Sequence, residues 1–193
     1  MRTIVAISLA LGLAVPSQDD KKFAEKDGLI VIEAEHFHAK AKKDALTWEL
    51  VKEPAGFSGT GAMEAKPNDD VNNNEDFVDL SPRMDYKVNF AKAGKFKIWV
   101  RGWGRGESDN SCHLGLNGKA VDTCDRLGEW PAEEWAWLND THDGESATLE
   151  VKEAGVHTLN VWMREDGFIL DKILLARDDK YEPKEKGPAE TKE

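Results

Sequence analysis

Chemistry in this sequence begins with carboxylates. Glu33 and Glu35 stand two residues apart in Leu29–Phe37, a short apolar-rich run that reads as a strand. On a strand such residues share a face, roughly 7 Å apart. Two carboxylates held side by side repel unless a proton or a cation sits between them. Their hard oxygens suit calcium. They can equally lie solvated on an edge strand, or act as the general acid and base of a glycosidase, although nothing else in the sequence marks a catalytic centre. His36 and His38 face the opposite side and could supply two zinc ligands. A third would have to come from His113, His142 or His157, and the sequence shows no convergence among them, so ordinary surface or core histidines are the expectation.

Aromatic residues are the second resource. The chain has 7 Trp but only 2 Tyr, and a flat, partly polar indole suits recognition surfaces. Trp103 stands between glycines in Arg101–Gly106, RGWGRG, and an exposed Trp there marks a contact. Trp130 and Trp135 lie in Gly128–Leu138, GEWPAEEWAWL, while Trp48, Trp99 and Trp162 are expected in the core. Arg164-Glu165-Asp166-Gly167 reads as a rim loop whose Arg164 and Asp166 could hydrogen-bond sugar hydroxyls. Cys112 and Cys124 flank Asn117-Gly118, a type I′ hairpin signal. In an exported chain a disulfide between them is expected, the alternative being two packed thiols.

These residues need elements to hold them. Asp85–Phe90, Lys95–Val100, Thr148–Val151 and His157–Met163 alternate polar and apolar, and Phe168–Ala176 is a mostly apolar closing run. Turn residues punctuate them at Ala93-Gly94, Asp143-Gly144, Ala154-Gly155 and Asp166-Gly167. The pattern predicts an all-β sandwich or barrel, with at most short helical turns at Phe23–Lys26 and Ala39–Asp44. Lys66–Asp76 reads as an exposed polar loop whose spacing fits no EF-hand. Asn139-Asp140-Thr141 fits the N-glycosylation pattern, a short motif often met by chance. The net charge of −11 opposes binding to nucleic acid or to an anionic membrane, and the RGWGRG tract alone does not reverse that. Ile4–Val15 is an uncharged apolar run after Arg2, followed by Pro16-Ser17-Gln18. It reads as a signal peptide over residues 1–18 and is too short to span a bilayer, which takes roughly 20 residues. The folded unit is expected at 27–177. Residues 178–193, rich in Lys, Glu, Pro and Gly, are expected to be a disordered tail.

Five segments in order resemble carbohydrate-binding modules of families six and thirty-five, of the kind attached to glycoside hydrolases and agarases. They are Ile32-Glu33-Ala34-Glu35-His36-Phe37, Gly94–Arg101, Leu114–Lys119, Gly155–Leu159, and Leu159–Leu175 (LNVWMREDGFILDKILL). The resemblance implies a single jelly-roll sandwich of about 8–10 antiparallel strands. It also implies a structural calcium held by Glu33, Glu35 and Asp171, and a ligand-stacking tryptophan for which Trp130 is the better match and Trp135 the next. The chain departs from the pattern at Ile169, where family six has a sugar-contacting Asn, and at Phe57, where a Tyr or Trp would complete the stacking pair. The resulting expectation is a secreted or periplasmic, non-catalytic, monomeric protein that binds a polysaccharide or oligosaccharide. An adhesive module without glycan affinity is the alternative, and a glycan hydrolase or lyase the third.

Overall fold

A computed structural model describes residues 15–16 and 21–193; the expected signal peptide lies outside the described residues except for Val15–Pro16. The strands follow in the order β1 (Val15–Pro16), β2 (Phe23–Ala24), β3 (Leu29–Glu33), β4 (Ala39–Ala41), β5 (Thr47–Val51) and β6 (Ala62–Lys66). One turn of helix, α1 (Phe77–Leu80), precedes β7 (Arg83–Phe90), β8 (Gly94–Trp103), β9 (Ser111–Leu116), β10 (Lys119–Ala120) and β11 (Leu127–Gly128). The chain continues through β12 (Trp135–Leu138), β13 (Thr148–Val151), β14 (Gly155–Met163) and β15 (Ile169–Ala176). No helix among the described residues is long and apolar enough to cross a membrane.

Two sheets face each other, as the alternating patterns demand. The first runs β1-β4-β7-β14-β9-β10, with β11 on β9 and β2 parallel to β7; the second runs β12-β8-β15-β6-β5, with β13 on β8 and β3 on β15. Period-2 alternation sends Met84, Tyr86 and Val88 of β7 and Phe96, Ile98 and Val100 of β8 into the shared core. The fold is an all-β sandwich. The hairpin at Asn117-Gly118 forms as expected, with φ of 54° and 75° at its two central residues.

Several local expectations give way. Residues 23–24 and 39–41 are strands rather than helical turns, because each finds an open backbone edge on β7. The strand carrying Glu33 stops there, and Ala34–His36 form a 3-10 turn. Glu33 and Glu35 therefore do not share a strand face. Cys112 lies on β9 but Cys124 lies in a separate 3-10 turn, Asp122–Cys124. Both thiols are free and buried, in place of the expected disulfide. Burial pushes both thiol pKa values up, that of Cys124 to about 12.

The polar C-terminal segment, expected outside the fold, is a strap across the outer face of the second sheet. The Trp99 indole donates to the Tyr181 carbonyl (3.0 Å) and the Trp137 indole to the Glu185 carbonyl (3.0 Å). Thr191 exchanges hydrogen bonds with Val31, and the Glu193 N–H reaches the Lys22 carbonyl. Beneath the strap Val31, Leu174 and Ala176 form a second small core, flanked by Leu29, Trp99, Trp137 and Tyr181. Composition missed this segment because it contributes backbone carbonyls and one aromatic ring rather than a hydrophobic stripe.

Candidate functional site

The outer face of the second sheet carries both candidate sites. Strand register arranges it in rows. One row crosses four strands as Trp137, Arg101, Lys172 and Glu33; the next runs Trp135, Trp103, Ile169 and Glu64.

The first row leads to the carboxylates. Loop 56–60 folds over them: Gly59, at φ +58°, lies so close that an added Cβ would come within 2.3 Å of a Glu35 oxygen. A carboxylate here needs donors, and nearly every oxygen has one. Asp171 accepts from Arg101 Nη1 at 2.6 Å and from the Ser58 N–H at 2.7 Å. Glu33 accepts from Lys172 Nζ at 2.9 Å and from the Ser58 hydroxyl at 2.6 Å. Glu35 accepts from the Thr60 N–H at 2.6 Å, and only its Oε2 is buried without a partner. Burial pushes the Glu33 carboxyl above the usual range, against the pull of Ser58 and Lys172. Arg101 and Lys172 thus already stand where a divalent ion would have to bond. Among the described residues no group of three or more His, Cys, Asp or Glu is placed to hold a metal ion. The donor set does not fit calcium.

The second row leads to an open concavity of about 400 Å³, lined by Glu53, Pro54, Trp103, Arg105 and Glu133. Trp103 and Trp135 meet edge to face with ring centroids 5.4 Å apart. Trp135 is fixed by its indole bond to the Ala55 carbonyl (3.0 Å) and by the Arg101 guanidinium 5.0 Å from its ring. Among the described residues the Trp103 indole N–H has no protein acceptor. Arg105 is oriented by Glu64, whose other oxygen is held by Lys66 at 2.9 Å. Ile169 is fully buried in this row, between Trp103 and Glu64.

Other expected contact residues are structural. Trp130 is 1% exposed; it tilts onto Phe168 at 4.7 Å and donates to the Ala136 carbonyl. It is core, not a stacking platform. The glycines beside Trp103 exist for it: a Cβ at Gly102 would fall 2.5 Å from the Phe168 ring, and one at Gly104 would fall 2.7 Å from the Trp130 carbonyl. Asp166 is fully buried and accepts the N–H groups of Asp69 and Val71, while Arg164 bonds Asn74, Ser111 and Glu165. These two pin the 68–74 loop, where free hydroxyl-binding groups were expected. Phe57 is half-buried, and its carbonyl accepts from Lys186. The histidines do not converge: His36 pairs with Glu190, His38 accepts from Lys87, and His113 stacks on Phe77 at 3.8 Å. Asn139 is buried with its amide donating to Ile98 and Ala147, which leaves no exposed nitrogen for a glycan.

Sequence reasoning missed Arg105, Glu53 and Glu133 of the concavity, since they are ordinary charged residues until the fold gathers them. It also missed Arg101 and Lys172. Their signal was present: a lone Asp-Lys pair inside the apolar run of β15 requires opposite charge nearby.

Residues 22–190 match the family described as the glycosyl hydrolase family 115 C-terminal domain. A curated relative, "Uncharacterized protein P23" of Formosa agariphila, is 30% identical over 197 residues, covering 86% of this chain and 48% of that protein. The chain thus spans about half the length of that relative. In fold it is similar to the Podospora anserina GH26-CBM35 β-(1,4)-mannanase, at TM-score 0.56 and 15% identity, over 82% of this chain and 29% of that one. It is also similar to a CBM35 from Paenibacillus barcinonensis, at TM-score 0.53 and 16% identity, over 77% of this chain and 98% of that one. The resemblance to these modules holds at the level of fold, which is a jelly roll.

Proposed function

The chain belongs to the family of glycosyl hydrolase family 115 C-terminal domains, and from that premise we propose that it is a non-catalytic, exported glycan-binding module. One observation carries the reading. Trp103 and Trp135 make a rigid aromatic corner beside a concavity with charged groups at its lip. An indole face covers the C–H side of a pyranose while its free N–H and the Arg105 and Glu133 side chains meet hydroxyls. Trp135 is already locked by Ala55 and Arg101, so little ordering entropy opposes binding. The glycan is expected to be bound by one monomer.

Export rests on the apolar run Ile4–Val15. The non-catalytic reading rests on Glu33 and Glu35, the pair that could have served as acid and base: Glu33 is tied to Lys172 and Ser58 beneath a loop, away from the concavity. The test is titration calorimetry against plant and algal polysaccharides with wild type and Trp103→Ala. Binding is expected to weaken at least about tenfold in the variant, the loss of roughly 1.4 kcal/mol or more. Absence of binding by wild type across the panel sinks the proposal in favour of an adhesive module. Release of reducing ends by wild type sinks the non-catalytic half.

A further inference from the structure

The resemblance implies a metal between the first and last strands of the sandwich, and the side chains present do not fit one. We infer that this chain supplies its own cations there, and that the C-terminal strap holds them in place.

Lys172 is the central group. It is 2% exposed, and its ammonium has three protons and three acceptors: Glu33 Oε1 at 2.9 Å, the Lys186 carbonyl at 2.9 Å and the Pro188 carbonyl at 3.1 Å. Arg101 is 6% exposed and spends its guanidinium similarly, on Asp171, on the Gly56 carbonyl and, through Nε, on the Glu185 carbonyl at 3.1 Å. The carboxylates come from β3 with its following turn and from β15, and the cations come from β8 and β15. Three closely spaced anchor points, at residues 185, 186 and 188, come from the strap.

A structural metal joins strands by collecting carboxylates. Here two fixed cations collect the same groups, and the strap carbonyls saturate the protons left over. A buried cation without that saturation is costly, which is why a polar, proline-containing segment packs on a sheet face in an ordered path. Strap and metal are alternatives. With Lys172 in place an ion at Glu33 is repelled. Once Lys172 is removed, Arg101 still holds Asp171 but Glu33 and Glu35 lose their nearest counter-charge, and the unpartnered Glu35 Oε2 is open to an added cation.

The experiment is thermal unfolding of the full chain in EDTA and in about 5 mM calcium, with calcium titration calorimetry alongside. Wild type is expected to show the same Tm in both and no calcium heat. Lys172→Ala is expected to have a lower Tm in EDTA and to recover about 5 °C or more in calcium. Lys172→Gln, which keeps an N–H donor for the strap, is the second variant should the first fail to fold, and is expected to respond in the same direction. A calcium-dependent Tm in wild type overturns the inference. So does a folded Lys172 variant that gains no response to calcium. Neither outcome touches glycan binding at Trp103, which is measured separately.

Discussion

Two tryptophan pairs sit side by side on β8 and β12. Trp99 and Trp137, in neighbouring rows, lie under the strap with their indole N–H groups bonded to Tyr181 and Glu185, while Trp103 and Trp135 lie directly opposite each other in the row on the far side of Trp137, beside the open concavity. Residue type, strands and face are the same for both pairs. The difference is made by a segment distant in sequence, which passes over one pair and not the other. Whether an aromatic on a sheet face is core or contact is therefore decided by what covers it, not by its own local pattern.

The broadest way to break this contrast is to remove the cover. A chain ending at Arg177 bares Trp99 and Trp137 and strips the carbonyls from Arg101 and Lys172. It is expected to lose about 3 kcal/mol or more, counting the two indoles alone, seen as a Tm drop of roughly 6–12 °C and a red shift in Trp fluorescence. An unchanged Tm would mean the strap is decoration.

Swapping the pairs sharpens the contrast next. Trp99→Ala is expected to cost about 2–3 kcal/mol of stability while glycan affinity holds. Trp103→Ala is expected to cost under about 1 kcal/mol of stability while affinity falls. If both variants lose affinity alike, the strap-covered pair is part of the binding surface and the distinction fails. Gly102→Ala probes the reverse side of the same strand. Its new methyl would press on Phe168 and Trp130, at an expected cost of about 1–3 kcal/mol by denaturant unfolding.

The remaining contrast is in pH. Arg177, at the root of the strap, forms a two-pronged bond with Glu25, and that bond holds the Glu25 carboxyl below its ordinary 4.5. A lowered carboxylate stabilises the fold above its unfolded value, and that share is lost as pH falls through the folded value. Glu33 has the opposite sign: raised by burial, its share is present below 4.5 and is lost as pH rises through the folded value. Glu25→Gln is therefore expected to lower stability by about 1.5 kcal/mol near pH 7 and to converge with wild type as pH falls through the lowered folded value of Glu25. Parallel melting curves at all pH values would remove Glu25 from the account.

The sandwich was legible because its core strands carry their own periodicity: β13 falls on Thr148–Val151 as read from alternation, and β7, β8, β14 and β15 lie over their apolar runs. Residues 23–24 and 39–41 were misread because short edge pieces are held by backbone bonds to β7 and carry no pattern of their own. The site was only half legible. Trp103 and Trp135 stand out by type, yet Trp130 stands out equally and is buried, since exposure depends on Phe168 and Gly102 approaching from other strands. The cations Arg101 and Lys172 were hidden because the eye goes to the carboxylates they neutralise.

The closure of the strap on Lys22 also changes what counts as an end of this fold. Residues 22 and 193 are joined by a hydrogen bond of 2.8 Å, so a short linker could splice them. The bend at Asp143-Gly144 is exposed, and Gly144 has φ +76° with nothing near its Cα that a side chain would meet. A chain permuted to open there keeps every strand pairing of the second sheet and turns the strap into a tethered loop. The architecture is, in that sense, a ring that can be opened at a place other than the strap.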